Sequence, residues 1–280
     1  MTYGNAVFLG LVQGIAEFLP ISSSGHLSVL QNLFNLNTAE EGHMFFDVLL
    51  HLGTLISVCV VYWSDIVMMI REFFGVINEI RNPDKKAPKA DIPSRRLILL
   101  IIIATLPLVA VLPINDMLEQ LYYNTTFIGA IFILTGCMLF VSDKLQPGNK
   151  TAKSMRVLDA VIIGLCQCVA TIPGLSRSGT TITAGIATGL DRAFAVKFAF
   201  LMSIPAVVGA NLITLVKTLV EGGIEWGLTP VYLVGMATAA ISGILAIGLV
   251  KLITNKGKFG NFAYYCWTVG LATLILSVIF

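Results

Sequence analysis

Long apolar runs alternate with short polar segments along the whole chain of 280 residues. An α-helix needs roughly 20 apolar residues to cross the hydrocarbon core of a bilayer. Runs of about this length predict six spanning helices, over residues 45–68, 97–113, 127–142, 195–216, 230–250 and 262–280. We therefore expect an all-α polytopic membrane protein.

Two further segments, 4–36 and 157–190, are apolar at their ends but contain proline, glycine and serine near the middle. Aligned without a gap, they share Gly10/Gly164, Leu11/Leu165, Gln13/Gln167, Ala16/Ala170, Ser22/Ser176, Ser24/Ser178 and Gly25/Gly179. The first copy alone carries Glu17 and His26, and the second alone carries Arg177. A duplicated segment with an acid/base half and a cationic half suggests two walls of one anion site.

The distribution of basic residues predicts how the chain is inserted. Lysine and arginine concentrate in segments 71–96, 143–156 and 251–258, whereas 114–126 and 217–229 contain few. Basic short loops stay on the cytoplasmic side. With these three loops inside, segment 4–36 must enter and leave from outside, and segment 157–190 must enter and leave from inside.

This arrangement predicts an inverted-topology repeat of two halves. Residues 1–142 form the first half and residues 157–280 the second, joined by a cytoplasmic linker over 143–156. Each half is a re-entrant helix hairpin followed by three transmembrane helices. In such folds broken helices meet near the middle of the membrane.

Composition supports a membrane location and excludes a soluble domain. The chain is 56% hydrophobic and 12% charged, with a mean hydropathy of +0.86, whereas a soluble domain has roughly 25% charged residues. Membrane lipids are the expected surroundings, and no nucleic-acid partner is expected. Residues 1–9 contain no lysine or arginine, so we expect no cleavable signal.

The residues of the two motifs suit anion chemistry. Gln13 and Glu17 are one helical turn apart and share a face, and Pro20 then ends that helix. Hydroxyls and free amides at the start of the next helix form a seat for an anion; the candidates are Ser22, Ser23, Ser24 and Gly25 in the first motif and Ser176, Ser178 and Gly179 in the second. Arg177 adds a guanidinium fork suited to phosphate oxygens.

Each of these residues also has a purely structural interpretation. Serine and glycine in membrane helices often serve close packing. Glu17 could be a hydrogen-bond partner of Gln13, His26 a buried cap, and Arg177 the counter-ion of Glu17. His51 is a candidate for the cavity wall because it follows Asp47 by one turn, whereas His43 belongs to a solvated polar loop. The gathering of all these groups at paired helix breaks favours a site.

At these residues the chain resembles the bacterial undecaprenyl-diphosphate phosphatase family associated with bacitracin resistance. The resemblance is carried by Gln13-Gly14-Ile15-Ala16-Glu17, Pro20-Ile21-Ser22-Ser23-Ser24-Gly25-His26 and Pro173-Gly174-Leu175-Ser176-Arg177-Ser178-Gly179-Thr180-Thr181. It extends to Phe46-Asp47-Val48 and covers most of the chain. Position 13 departs from the family's pattern, because many members have glutamate there.

The resemblance implies hydrolysis of undecaprenyl diphosphate to undecaprenyl phosphate and inorganic phosphate, on the outward side of the cytoplasmic (inner) membrane. This reaction recycles the lipid carrier of cell-wall synthesis and confers bacitracin resistance. The implied phosphate-binding residues are Arg177, Ser176, Ser178 and Thr181. Ser23 is the preferred nucleophile, activated by His26 with Glu17 orienting it, while attack by His26 itself or by water stays open. The family also implies a divalent cation, Mg²⁺ or Ca²⁺, held by Glu17.

A transporter or flippase for a phosphorylated lipid is the competing prediction, because inverted repeats with broken helices are transporter architecture. In that interpretation Glu17 is a proton-coupling site and Arg177 binds the anion. The serine and histidine beside Glu17 favour an enzyme, because a carrier has less need of a nucleophile and a base. A membrane scaffold leaves the three charged groups without a role. The sequence leaves monomer and homodimer open.

Overall fold

The computed structural model describes residues 1–33, 41–82, 91–221, 225–256 and 259–279. Within these ranges β pairing is limited to one bridge between Lys150 and Leu190. The α-helices are α1 (Tyr3–Phe18), α2 (Ser23–Leu33), α3 (Glu41–Val61), α4 (Trp63–Arg81), α5 (Ile92–Thr105), α6 (Asn115–Leu121), α7 (Thr125–Ser142), α8 (Val157–Val169), α9 (Arg177–Ala187), α10 (Arg192–Glu221), α11 (Thr229–Lys256) and α12 (Asn261–Ile279). The predicted all-α class is confirmed.

Five stretches of the described chain are long and apolar enough to cross a bilayer: Ile92–Leu121, Thr125–Ser142, Arg192–Val220, Trp226–Thr254 and Asn261–Val278. The helices α3 and α4 supply a sixth only if they are counted together across a bend of 86°. The chain is therefore a multi-pass membrane protein. The span predicted over 127–142 agrees closely with α7, while α10 and α11 extend beyond the spans predicted over 195–216 and 230–250.

The helix predicted over 45–68 is interrupted in the structure. Helix α3 ends at Val61, and α4 begins at Trp63 almost at a right angle to it. The reason lies in the polar residues of α4, which carries Asp65, Glu72 and Glu79 at intervals of seven. Charged side chains are costly in hydrocarbon. In α4 they form ion pairs instead, Asp65 with Lys197 at 2.5 Å and both glutamates with Arg95 at 2.7 Å.

The helix predicted over 97–113 is also interrupted. Helix α5 ends at Thr105, and the chain continues as a 3-10 segment over Leu106–Ile114. Pro107 and Pro113 lie in this segment. Proline has no backbone N–H and its ring clashes with the preceding turn, so the regular α-helical ladder stops there.

The two motif segments form helix pairs that pack in matching ways. Helix α1 packs against α2 and along α11, and α8 packs against α9 and along α5. A Cβ atom at Gly10 would collide with the Gly235 carbonyl of α11, and one at Gly164 with the Ala104 carbonyl of α5. Corresponding glycines of the two motifs thus allow close helix contacts. The last three residues of the predicted hairpin 4–36 lie outside the described residues.

Contacts between loops define one end of the helix bundle. There the Arg96 guanidinium donates to the Met155 carbonyl at 2.8 Å. The Lys150 amide donates to the Gly189 carbonyl at 3.2 Å, which joins the linker 143–156 to the end of the second motif. The Gly260 amide donates to Asp143 at 2.6 Å. These contacts bring the basic segments together.

The first motif begins and ends at the other end of the bundle. Asn32, near the end of α2, donates to Thr125 at the start of α7, over 3.4 Å. Met1 packs against the same apolar cluster as Leu228, which immediately precedes α11. Both termini of this motif therefore lie away from the basic loops.

Candidate active site

Both motifs place a helix break and a new helix start beside each other. In the first motif Leu19 is extended, as expected for a residue before proline, and α2 begins at Ser23. In the second motif Gly174 has φ +90°, a left-handed conformation that suits glycine, and α9 begins at Arg177. Helices α1 and α8 thus both end within the protein, each a few residues before the next helix begins.

The hydrogen bonds at the two helix starts are nearly the same. Ser22 Oγ accepts from the Gly25 amide at 3.3 Å, and Ser176 Oγ accepts from the Gly179 amide at 3.1 Å. Serine side chains commonly satisfy the free amides of a first helical turn in this way. Each capping serine also contacts the serine two residues further along the chain, Ser24 at 3.4 Å and Ser178 at 3.3 Å. The repeated sequence therefore folds into a repeated cap.

The backbone of Ser22 differs from that of its counterpart. Ser22 has φ +70°, and it is the only non-glycine residue with a positive φ among the described residues. Ser176 has φ −71°. A left-handed conformation costs an L-residue about 1–2 kcal/mol, and such strain clusters at functional sites. The first motif thus holds a strained residue immediately before Ser23.

Glu17 is the centre of the site. Its Oε1 accepts from Arg177 Nη2 at 2.6 Å, and its Oε2 accepts from Ser23 Oγ at 2.6 Å and from Gln13 Nε2 at 3.1 Å. The carboxylate is largely buried, with 8% of the Glu17 side chain exposed, whereas 29% of the Arg177 side chain is exposed. The two motifs therefore meet at one carboxylate.

His26 lies in the same region, but its ring does not bond to Ser23, contrary to the prediction. Its Nδ1 is 2.7 Å from the Ser22 carbonyl, and its Nε2 is 2.8 Å from the Tyr265 hydroxyl. Both ring nitrogens are thus occupied by groups other than Ser23. The Ser23 hydroxyl donates to the Glu17 carboxylate instead. The expected activation of Ser23 by His26 therefore has no support in the geometry.

The remaining predicted residues divide into two groups. Gln13, Ser22, Ser24, Gly25, Ser176, Ser178 and Gly179 lie at the two breaks, where Ser178 Oγ also donates to the Leu19 carbonyl at 3.3 Å. Thr181 is buried, and its hydroxyl donates to the Arg177 carbonyl at 2.9 Å. The Thr181 side chain therefore bonds to its own helix and does not reach the Glu17 carboxylate.

Several neighbouring residues were missed by sequence reasoning. Tyr265 of α12 contacts His26 through its hydroxyl and also stacks on it, with 5.6 Å between ring centroids. Tyr122, in a predicted outer loop, lies beside the first motif, and its backbone carbonyl accepts a hydrogen bond from the Ser28 hydroxyl. Neither tyrosine belongs to a polar motif, so no spacing signal indicated them. The Asp47 carboxylate accepts from Gln31 at 3.2 Å, and the side chain of His43 lies outside the described residues.

The residues at the site supply few metal ligands. The described part of the chain contains no group of three His, Cys, Asp or Glu side chains arranged to hold a metal ion. Glu17 provides one carboxylate, and both its oxygens already accept hydrogen bonds. Mg²⁺ is often held by one or two carboxylates together with substrate phosphates and water. The residues present therefore fit only a cation that is shared with the substrate.

Comparison with known proteins adds the family. The family model described as "Bacitracin resistance protein BacA" matches residues 6–272. A protein of Alkaliphilus metalliredigens is 39% identical over 280 residues, with 100% of both chains covered. Proteins of Methanosphaera stadtmanae and Halothermothrix orenii are 38% and 39% identical, with 98% of each chain covered. All three are named undecaprenyl-diphosphatase.

Proposed function

The chain belongs to the bacitracin resistance protein BacA family, and we propose that it hydrolyses undecaprenyl diphosphate to undecaprenyl phosphate and inorganic phosphate. The name of its relatives supports this substrate. The observation that carries the proposal is the contact of Glu17 with both the Ser23 hydroxyl and the Arg177 guanidinium. A nucleophile, its base and a cation for phosphate are thereby gathered at one point.

In the first step the Ser23 oxygen attacks the terminal phosphorus of the lipid diphosphate. The Ser23 proton passes to Glu17 Oε2, the bond to the bridging oxygen breaks, and undecaprenyl phosphate leaves. In the second step water attacks the phosphoserine. Glu17 returns its proton to the departing serine oxygen, and both protons of the attacking water stay on inorganic phosphate. Ser23 and Glu17 thus end as they began.

Arg177 and the two helix starts stabilise the phosphates. Phosphoryl transfer depends mainly on positioning and on neutralising charge spread over the oxygens. Arg177 uses one nitrogen on Glu17, so its other donors can face phosphate. The first turns of α2 and α9 add backbone amides and the positive ends of helix dipoles. A cation at Glu17, Mg²⁺ or Ca²⁺, would add further neutralisation of phosphate charge when bound.

We further propose that the two hairpins enter the membrane from opposite faces, as an inverted repeat. The matching contacts of α1 with α11 and of α8 with α5 support this symmetry. So do the contacts that hold the ends of the first motif away from the basic loops and the ends of the second motif beside them. With basic loops in the cytoplasm, the first hairpin opens outward, and so does the site.

Cysteines introduced at Lys153 and Asp116 should be labelled from opposite faces of sealed vesicles. Labelling of both positions from one face would contradict this arrangement.

Phosphate release by the purified protein tests the proposed function. The protein in detergent should release inorganic phosphate from undecaprenyl diphosphate and from the shorter farnesyl diphosphate. A transporter or flippase would bind the same lipids and move them without releasing phosphate. Binding without release therefore contradicts the hydrolase and favours the transporter, for which the contact between Ser23 and Glu17 has no evident use.

A further inference from the structure

The ring nitrogens of His26 bond to Ser22 and Tyr265 rather than to Ser23, which suits a role other than that of a base. We infer that Tyr265 is a positioning residue of the site: it holds His26 so that the imidazole clamps Ser22 in its left-handed conformation, which brings Ser23 to Glu17. This inference rests on the proposed function, since it assigns a role in the proposed serine attack. It concerns one chain of contacts, from α12 through the start of α2 to the end of α1.

The hydrogen-bond partners determine how the imidazole is protonated. The Ser22 carbonyl can only accept, so His26 Nδ1, 2.7 Å away, carries the proton and donates it. In the neutral ring Nε2 then has a lone pair, which accepts from the Tyr265 hydroxyl at 2.8 Å. Both nitrogens are engaged, and neither is directed at Ser23. The tyrosine thereby stabilises the tautomer that can donate to Ser22.

The surroundings of His26 also fix the plane of the ring. Tyr265 stacks on the imidazole at an interplanar angle of 10°, and Phe132 packs against it edge-on, with 4.9 Å between centroids. Helix α12 is held near the break by the Cys266 thiol, which lies 3.9 Å from the Pro20 carbonyl. Two aromatic rings from different helices thus leave the imidazole in one orientation.

The second motif serves as a natural comparison for this clamp. Ser176 makes the same cap as Ser22, yet its φ is −71° where that of Ser22 is +70°. The counterpart of His26 is Thr180, whose hydroxyl lies against the Met138 sulfur at 3.4 Å and does not bond to the Ser176 carbonyl. In the second motif, which has no imidazole at this position, the capping serine is not left-handed. The residue after Ser176 is Arg177, not a nucleophile.

The clamp explains how Ser23 reaches Glu17. The Ser22 carbonyl accepts from both the His26 ring and the His26 backbone amide, so two donors hold the peptide group that joins Ser22 to Ser23. The left-handed turn at Ser22 lets the chain reverse after Pro20 and brings Ser23 Oγ within 2.6 Å of Glu17 Oε2. Loss of the clamp should therefore lower turnover by moving the nucleophile.

Substitutions at His26 separate a clamp from a base. The Asn side chain amide reaches the position of Nδ1, whereas Gln reaches that of Nε2. If His26 acts through Ser22, His26→Asn retains kcat within about tenfold, while His26→Gln and His26→Ala lose about 100-fold, a typical cost of a misplaced reacting group. Equal losses in all three variants, each still folded by size exclusion and thermal unfolding, would overturn the clamp and favour His26 as base or nucleophile.

Substitution of Tyr265 tests the hydrogen bond between its hydroxyl and His26. Tyr265→Phe keeps the stacked ring but removes the hydroxyl, and Tyr264→Phe makes the same change at the neighbouring, 61% exposed position. We expect about a fivefold to tenfold lower kcat with unchanged KM for Tyr265→Phe, consistent with loss of one hydrogen bond, and wild-type kinetics for Tyr264→Phe. Wild-type kcat in Tyr265→Phe would overturn the role of the hydroxyl.

The tautomer of His26 can be measured spectroscopically, without an activity assay. In protein with ¹⁵N-labelled histidine, the signal that disappears in His26→Asn belongs to His26. It should report a proton on Nδ1 in the wild type and a mixture of tautomers in Tyr265→Phe. An unchanged tautomer in Tyr265→Phe overturns the inference. Absence of phosphate release by the wild type would instead contradict the proposed function, and this measurement would still test the contact.

Discussion

Glu17 and Arg177 form an ion pair with 2.6 Å between Oε1 and Nη2, although they come from opposite halves of the sequence. The pair joins the end of α1 to the start of α9 and lies between the two helix caps. Glu17 is the more deeply buried partner. A buried charge depends strongly on its partner, because an uncompensated ion in a low dielectric is costly. Replacement of either residue therefore leaves a charge without its partner at the junction of the two motifs.

Removal of the Arg177 guanidinium should abolish catalysis. We expect Arg177→Ala to lower kcat/KM for undecaprenyl diphosphate by at least about 100-fold, because charge on the transferred phosphoryl group is no longer neutralised. Arg71→Ala, a change at an exposed arginine of α4, should leave the rate unchanged. Phosphate release in detergent measures both. Wild-type turnover in Arg177→Ala would remove this residue from the site.

Replacement of Glu17 by its isosteric amide tests the base. Glu17→Gln keeps the side-chain shape but cannot accept the Ser23 proton, so kcat should fall by about 100-fold or more. The matched change Glu119→Gln alters a half-exposed ion pair with Lys217 and should leave kcat unchanged. If Glu17→Gln turns over like the wild type, another group must act as the base.

The Ser23 hydroxyl should carry the phosphoryl group. Ser23→Ala should lower kcat by several orders of magnitude, since no covalent intermediate can form. Ser203→Ala removes a hydroxyl that bonds within its own helix and serves as the control. Acid quenching with a terminal ³²P label should trap phosphoenzyme in the wild type only. A loss of only a few-fold in Ser23→Ala would leave His26 or water as the attacking group.

The left-handed backbone at Ser22 has a consequence for stability. Glycine has no Cβ atom to oppose a positive φ, so Ser22→Gly should be more stable than Ser22→Ala by about 1–2 kcal/mol beyond the ordinary difference between these residues. The same pair of changes at Ser176, whose φ is −71°, supplies that ordinary difference. Thermal unfolding in detergent compares the four variants. Equal Gly–Ala differences at both sites would contradict strain at Ser22.

A divalent cation should be required for turnover. Treatment with EDTA should abolish phosphate release, and added Mg²⁺ or Ca²⁺ should restore it, because the single carboxylate of Glu17 and the substrate phosphates would bind the ion together. The tautomer of His26 in the substrate-free protein should be unaffected by EDTA. Full activity after exhaustive chelation would exclude a metal from the reaction.

Sequence patterns predicted the helical class and the positions of the two breaks because these depend on local causes. Apolar length determines which helices can span a bilayer, and a proline lacks a backbone donor and so favours a break, as at Pro20 after α1. The repeated serine and glycine also predicted where helices restart. Sequence reasoning was less successful for 45–68, where the helix breaks at Tyr62 and the following α4 carries three acidic residues at intervals of seven. The partners of those acids, Lys197 and Arg95, are remote in sequence.

The sequence by itself determined that this is a membrane protein with a duplicated polar motif containing Glu17, Ser23, His26 and Arg177. Only the tertiary structure decided which of these groups touch. It paired Ser23 with Glu17 and directed His26 toward Ser22 and Tyr265. The physical reason is that a hydrogen bond depends on distance and direction to within a fraction of an ångström. Those quantities depend on how α1, α2, α9 and α12 pack, and no spacing along the chain specifies them.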